Sequence, residues 1–280
     1  MVWQRFGRVK VYIEPFFGSG AVFINCPYDN QRAIINDLDG YVVNFWRAIK
    51  LEPDVVYEWS QWLASELDLV ARQRWMMKNK DDFLGHMRND PNYYDLKVAG
   101  WWAWGMSTWI GAGWCEEQVG DNRLPACGTG AGVHSQRCTI AFFRALAEKF
   151  KRTIILCGSW NRCVSHAITA HYPNSGIFLD PPYSPNECDP NTYRIKGNND
   201  VAVECREWCL EHGTNRDLRI ALCGYEGEHE MPDDWECLAW KSHGGMGAAR
   251  ARSSGRYTNN VRERIWFSPG CLTPGLALWD

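Results

Sequence analysis

Gly176-Ile177-Phe178-Leu179-Asp180-Pro181-Pro182-Tyr183 reads as a buried strand that runs directly into a polar turn. A short apolar run ended by a carboxylate and two prolines suits a central parallel strand covered on both faces. A carboxylate, two prolines and an aromatic ring then stand at the strand's carboxyl end. In an open α/β sheet that edge is where ligands bind. The four residues suit a planar amino group. The Asp180 carboxylate accepts one N–H, and the Pro181 carbonyl accepts another, its direction held by the ring that follows from proline geometry. Tyr183 offers a face for stacking. Alone, the stretch is equally compatible with an ordinary polar turn.

Outward from it, other runs share the pattern. Val11-Tyr12-Ile13, Ala33-Ile34-Ile35, residues 153–157 and residues 218–223 are short, apolar and end in Gly, Pro or a polar residue. Residues 201–212 read as a helix, with Cys205, Trp208 and Cys209 at helical spacing, N-cap candidates at Asn198, Asn199 and Asp200, and Gly213 as its stop. Residues 235–240 and 263–267 read as a final antiparallel pair. The expected fold is α/β: a Rossmann-like sheet, mainly parallel, with antiparallel C-terminal strands. Residues 51–151 break the alternation and are expected to form a mainly helical insertion, leaving residues 1–50 and 152–280 as the sheet domain. Within the insertion, Trp101, Trp102, Trp104, Trp109 and Trp114 are interleaved with glycine. They read either as a small aromatic core or as rings that stack on bases.

Bulk properties narrow the class. The chain has 280 residues, 45% hydrophobic and 22% charged, with a net charge of −3. No run approaches the roughly 20 apolar residues that cross a bilayer, and residues 1–10 lack an apolar leader core; a cytoplasmic protein without a membrane partner is expected. Several of the 12 cysteines lie in apolar runs and no C-x-x-C pair occurs, so neither disulfides nor a metal is expected. Charge is nevertheless uneven. Lys241, Arg250, Arg252, Arg256, Arg262 and Arg264 face a single acid, Glu263, between residues 241 and 264. Such a stretch is either a solvated loop or a footprint for phosphates.

A cofactor edge follows from two further features. Glu14-Pro15-Phe16-Phe17-Gly18-Ser19-Gly20 is a glycine turn after the first strand, which lets backbone approach a ligand closely. It lacks the dinucleotide G-x-G-x-x-G pattern and the Lys-Ser/Thr of a phosphate-binding loop. Asp37 ends the second strand about 20 residues on, where an acid grips ribose hydroxyls. Glycine turn, ribose acid and D-P-P-Y together suit a nucleoside cofactor without pyrophosphate, and S-adenosylmethionine fits.

E-P-F-F-G-S-G, N-D-L-D-G-Y-V-V-N-F-W at residues 36–46 and D-P-P-Y together resemble the Dam-like adenine-specific DNA methyltransferases of the alpha group. L-R-I-A-L-C-G-Y-E-G-E-H at residues 218–229 and R-E-R-I-W-F-S-P at residues 262–269 resemble a phage or prophage branch of that family. The resemblance implies an S-adenosylmethionine-dependent methyltransferase fold with an inserted target-recognition subdomain. It implies methyl transfer to N6 of an adenine flipped out of double-stranded DNA, with Asp180, Pro181, Pro182 and Tyr183 catalytic. Glu14, Pro15, Phe16, Phe17, Gly18, Gly20, Asp37, Ser159 and Trp160 would hold the cofactor, Phe16 and Phe17 as walls. Arg250, Arg252, Arg256 and Arg262, with Trp104 and Trp109, would contact DNA. The same acceptor geometry serves N4 of cytosine or an RNA amine, and a non-catalytic DNA-binding homologue is a further alternative. Two departures stand out. Cys157-Gly158-Ser159-Trp160 carries serine where the family usually has an acid, which implies weaker cofactor binding because a neutral hydroxyl is the poorer acceptor. The family's glycine-lysine motif ahead of the first strand is expected to be missing, or cut off by a truncated start. The residues leave the oligomeric state open, a monomer included.

Overall fold

The apolar runs become strands in the computed structural model, which describes residues 1–90, 92–110, 114–115, 125, 132–182, 201–239 and 262–273. The chain opens with helix α1 (Val2–Phe6) and strand β1 (Val11–Glu14), followed by the short helix α2 (Ala21–Ile24) and β2 (Ala33–Asp37). Helices α3 (Gly40–Leu51), α4 (Pro53–Ser60), α5 (Glu66–Lys78), α6 (Lys80–Asn89), α7 (Leu96–Thr108) and α8 (Ile140–Phe150) come next. Then follow β3 (Thr153–Cys157), α9 (His166–His171), β4 (Ser175–Leu179), α10 (Val201–His212), β5 (Leu218–Tyr225), β6 (Glu236–Ala239) and β7 (Glu263–Phe267). They form two compact units, residues 1–38 with 152–280, and residues 39–151.

The first unit is an α/β fold built on a seven-stranded mixed sheet of order β3-β2-β1-β4-β5-β7-β6. β1 pairs in parallel with β2 and β4, β2 with β3, and β4 with β5. β7 is antiparallel to both β5 and β6. The parallel part, 3-2-1-4-5, is the strand order of doubly wound nucleotide-binding sheets, whose topological switch point lies between β1 and β4. Register places Ile13 beside Ile177, so Glu14 and Asp180 leave neighbouring strands on the same edge. Every residue of β1 and β4 is buried, which explains why these strands read as unbroken apolar runs. Ile13, Ile34, Ile177, Leu179, Ile220 and Leu222 lie in one core cluster with Cys205 and Cys209 of α10. Burial pushes the Cys205 and Cys209 thiols up, so both behave as small apolar side chains.

The start of the chain is less polar in space than in sequence. α1 buries Trp3 and Phe6, and the Trp3 ring lies 4.9 Å from that of Tyr12. Residues 2–6 thus pack against β1.

The second unit is helical. Asp39, Ser65, Asp95 and Thr139 each accept a backbone N–H at a helix start, satisfying donors that the first turn leaves unpaired. Its tryptophans form a core around a cation. Arg72 is 6% exposed, and its guanidinium lies 4.8, 5.3 and 4.4 Å from the ring centres of Trp62, Trp101 and Trp104. This corrects the expectation that Trp104 and Trp109 stack on bases. Trp104 is fully buried and its indole N–H donates to the Trp62 carbonyl at 2.8 Å, while Trp109 is buried against Trp114. Neither presents a ring face to a partner. Of the three rings around Arg72, Trp62 is the most open, at 43% exposed. No described helix is long and apolar enough to cross a membrane.

The glycines within the tryptophan run are packing positions. A Cβ on Gly100 of α7 would stand 2.2 Å from Trp59 Cβ and 2.7 Å from its backbone carbonyl carbon in α4. Backbone cannot move aside as a flexible side chain can. Gly100→Ala is therefore expected to destabilise the protein by about 1–3 kcal/mol despite alanine's better helix propensity. Urea unfolding followed by tryptophan fluorescence measures this; a neutral or stabilising change would show that α4 and α7 are not packed this closely.

Candidate active site

The site begins with the backbone after β1. Gly18 and Gly20 have φ of 45° and 63°, the left-handed region that side chains avoid. The two glycines differ in what surrounds them. A Cβ on Gly20 would meet the Phe17 ring at 2.5 Å, whereas one on Gly18 would meet nothing within 4 Å. Gly20 thus lets the turn close over Phe17, and Gly18 leaves open space for a ligand. Phe17 is 3% exposed and packs towards Phe23, so it belongs to the core rather than to a pocket wall. Phe16 is half-buried and stacks on Trp160 at 6.0 Å. Trp160 is itself buried, and its indole N–H donates to Glu204 of α10 at 3.2 Å.

Asp37, at the end of β2, reaches back to this turn: its Oδ2 accepts the Gly18 N–H at 2.8 Å. The residue before it does more. Asn36 is 2% exposed, and its side-chain amide donates to the Pro15 carbonyl and the Gly158 carbonyl, both at 2.9 Å. Its own carbonyl accepts the Phe17 N–H at 2.9 Å, and the Asp37 carbonyl accepts the Gly158 N–H at 3.1 Å. One side chain thereby joins the turns after β1, β2 and β3. Asn36 was absent from the residues singled out in the sequence; its signal was an amide in the last turn of an otherwise apolar strand, where burial demands partners. Asn36 Oδ1 is buried with no hydrogen-bond partner among the described residues.

Asp180 follows β4 directly and is exposed, with Pro181 buried and Pro182 half-buried behind it. Ser159 is exposed and makes no capping bond to the 3-10 turn that follows it, Trp160–Val164. Arg262 lies 5.7 Å from the Tyr225 ring. Tyr183, the residues that follow it to 200, and Arg250, Arg252 and Arg256 lie outside the described residues.

Three carboxylates share this edge. Glu14 is 3% exposed and its Oε2 accepts the Tyr12 hydroxyl at 2.8 Å. Burial holds the Glu14 carboxyl well above the ordinary carboxylate range; the Tyr12 hydrogen bond opposes that shift, and the charges of Asp180 and Asp37 add to it. Such an edge favours a cationic or hydrogen-bond-donating ligand. Among the described residues no group of side chains has the makings of a metal site.

The comparisons with known proteins bear on this edge. The family model for D12 class N6 adenine-specific DNA methyltransferase matches residues 4–95, which include the glycine turn, Asn36 and Asp37. The DNA adenine methylase of Vibrio cholerae serotype O1 is 26% identical over 199 residues, 70% of this chain. The Type II methyltransferase M.MjaIII of Methanocaldococcus jannaschii is 25% identical over 184 residues, 64% of this chain. The chain is similar to adenine-specific DNA methyltransferases. The aligned parts span 65% and 60% of those two relatives' lengths. The resemblance to Dam-like adenine-specific DNA methyltransferases therefore holds at the level of the family.

Two predictions follow from the hydrogen bonding. Asn36→Ala leaves the buried Pro15 carbonyl and the part-buried Gly158 carbonyl without their donor, at about 1–3 kcal/mol for the buried one. Thermal unfolding is expected to show that loss, and a stability within 0.5 kcal/mol (~, the noise of a surface change) would remove Asn36 from its place as a joint. For Glu14, the raised pKa sets the sign. Below the ordinary carboxylate range, folded and unfolded chains both carry the proton and pH has no leverage. Between that range and Glu14's raised pKa, the unfolded chain releases the proton and the folded chain retains it, so stability falls as pH rises. Glu14→Gln abolishes that component. Its melting temperature relative to the unsubstituted protein is expected to rise from pH 4 to pH 8, in melts at both values (approximate limits set by ordinary carboxylate titration). A difference that stays constant would show Glu14 to be ionised in the fold.

Proposed function

We propose that this protein transfers a methyl group from S-adenosylmethionine to the exocyclic N6 amine of an adenine flipped out of double-stranded DNA. The observation that carries the reading is the meeting of Asp180-Pro181 with the glycine turn and Asp37 at the switch point of the sheet. The similarity to adenine-specific DNA methyltransferases supports it.

The residues present fit the cofactor. Open space over Gly18, the Asp37 carboxylate beside it and the unpartnered Asn36 Oδ1 form a floor suited to a nucleoside and an amino acid. Glu14, Phe16, Gly18, Asp37 and Trp160 would hold it. S-adenosylmethionine supplies an electrophilic methyl group on a sulfonium when bound, so the chain needs no metal or covalent intermediate.

The chain's own work is on the amine. An adenine amino nitrogen is a poor nucleophile because its lone pair is delocalised into the ring. The Asp180 carboxylate and the Pro181 carbonyl accept its two N–H groups, which draws the lone pair out of conjugation and aims it. Proline rigidity fixes the second acceptor. Tyr183 supplies the stacking face for the flipped ring. Catalysis is mainly positioning, a contribution of about 7–11 kcal/mol where reacting groups are well aligned. The arginines between residues 250 and 262 hold phosphates, which positions DNA without choosing its sequence.

Incubating the protein with duplex DNA and methyl-labelled cofactor, then identifying the labelled nucleoside, tests the reading. N6-methyladenine is the expected product. Label on cytosine or only on RNA overturns the substrate, and no label with DNA binding intact overturns the activity. Asp180→Ala is expected to abolish methyl transfer and to leave cofactor affinity within about threefold, since Asp180 contacts the amine. Near-normal turnover in that variant removes Asp180 from the catalytic role.

A further inference from the structure

The sheet has a second edge. At the amino ends of β1–β4 lies a cavity of about 650 Å³, lined by Arg8, Lys10, Arg32, Arg152 and His171 among others. Three of these cations stand immediately before a strand: Lys10 before β1, Arg32 before β2 and Arg152 before β3. Adjacent pairing of β1, β2 and β3 brings them side by side. Strands of four or five residues at about 3.3 Å per residue separate this edge from Glu14, Asp37 and Asp180 by roughly 13–16 Å. It is a different site from the one described above.

The cations are not used up within the fold. None of the four permanent ones takes part in an ion pair among the described residues, and Asp29 is the one acid on the lining. Arg152 donates a single 3.3 Å bond to the Asn30 carbonyl. The walls are instead set by other groups. The Gln31 side-chain amide donates to the Val9 and Arg32 carbonyls at 3.1 and 3.0 Å, and the Lys10 N–H donates to the Asn174 carbonyl at 2.8 Å. Asn30 and Asn174 turn the chain at φ of 56° and 60°, a region asparagine tolerates better than most residues. Apart from the single Arg152 bond to the Asn30 carbonyl, the loops are therefore held without the guanidinium and ammonium groups.

Gathered like charges repel, and in a chain of net charge −3 the gathering runs against the overall balance. Offsetting the carboxyl end of α9 would occupy one cation near its last turn, not four from three other segments. The cavity's volume falls in the range of small-molecule sites, about 300–1,000 Å³. A half-buried Tyr172 ring, edge-on to His171 at 4.5 Å, closes one side.

We propose that this cavity binds an oligophosphate anion, a chain of two or three phosphates either free or borne by a nucleotide. Arg8, Lys10, Arg32 and Arg152 hold the phosphate oxygens by charge-assisted hydrogen bonds. The cofactor proposed above carries no phosphate, so this site stands independently of that reading.

Calorimetric titration of the intact protein with inorganic tripolyphosphate, and separately with ATP, tests it. Saturable one-to-one binding of at least one of the two is expected. The double variant Arg32→Gln/Arg152→Gln is expected to weaken it by about tenfold or more, and Arg32→Lys/Arg152→Lys to retain more of it than the glutamine pair. Tighter binding of ATP assigns the site to a nucleotide; equal binding assigns it to the phosphate chain alone. If the glutamine pair fails to fold, Arg8→Gln/Lys10→Gln, at the other two exposed cations of the cavity, serves in its place. Absence of saturable binding overturns the proposal, as does an affinity that the glutamine substitutions leave unchanged. Loss of duplex DNA affinity in the glutamine variant, with tripolyphosphate affinity unchanged, would assign these cations to the nucleic-acid backbone and overturn it too.

Discussion

The buried amide of Asn36 is the joint on which the ligand edge of the sheet depends. Through it the Pro15 and Gly158 carbonyls are held at 2.9 Å from one nitrogen. The turns after β1, β2 and β3 are consequently one hydrogen-bonded body, not three independent loops. The glycine turn inherits its position from this body, because Phe17 N–H is anchored to the Asn36 carbonyl and Gly18 N–H to the Asp37 carboxylate. A side chain that accepted there instead of donating would leave the buried Pro15 carbonyl and the part-buried Gly158 carbonyl without this donor. That cost is what fixes asparagine's orientation and, with it, the floor of the site.

Charge divides along the strands. The carboxyl edge carries Glu14, Asp37 and Asp180, and the amino edge carries Lys10, Arg32 and Arg152. The sheet between them is apolar and buried, so neither edge is screened by protein from its own neighbours. Burial first, and the charges of Asp180 and Asp37 after it, hold Glu14 towards its protonated form. Unpaired cations at the other edge favour an anion. The two edges thus differ in the kind of charged side chain gathered at their strand ends.

Most of the sheet was legible in the sequence because fully buried strands cannot alternate. β1, β2, β3, β4 and β5 each appear as a short apolar run closed by a polar residue, and the antiparallel pairing of β6 and β7 followed from two later runs. What the sequence hid was partnership at a distance. Asn36 reads as an ordinary polar terminator until Pro15 and Gly158 are beside it. Gly20 reads like Gly18, yet one packs on Phe17 and the other faces open space. The tryptophan run reads equally well as core or as binding surface, and burial around Arg72 decides for Trp104. Helix α1 escaped notice because five residues carry too little periodicity to show. The division of the chain at residue 50 read from the break in alternation and the structural one at residue 38 differ by α3, whose apolar face gives no sign of which unit it joins.

Ser159 takes on a different meaning in this electrostatic setting. A carboxylate there would be a stronger acceptor for a ligand, and its replacement reads at first as a simple weakening. The same edge, however, already holds Asp37 and Asp180, and both add to the cost that burial sets on ionising Glu14. Ser159 follows Gly158, whose N–H and carbonyl are bound to Asp37 and Asn36. A further negative charge at that point would join Asp37 and Asp180 and push Glu14 further towards its protonated form. A neutral hydroxyl gives up acceptor strength at one end of the site and, by the same step, leaves Glu14 easier to ionise at the other. The two effects oppose each other in affinity for a cationic ligand, so the serine redistributes the site's electrostatics instead of only removing a contact.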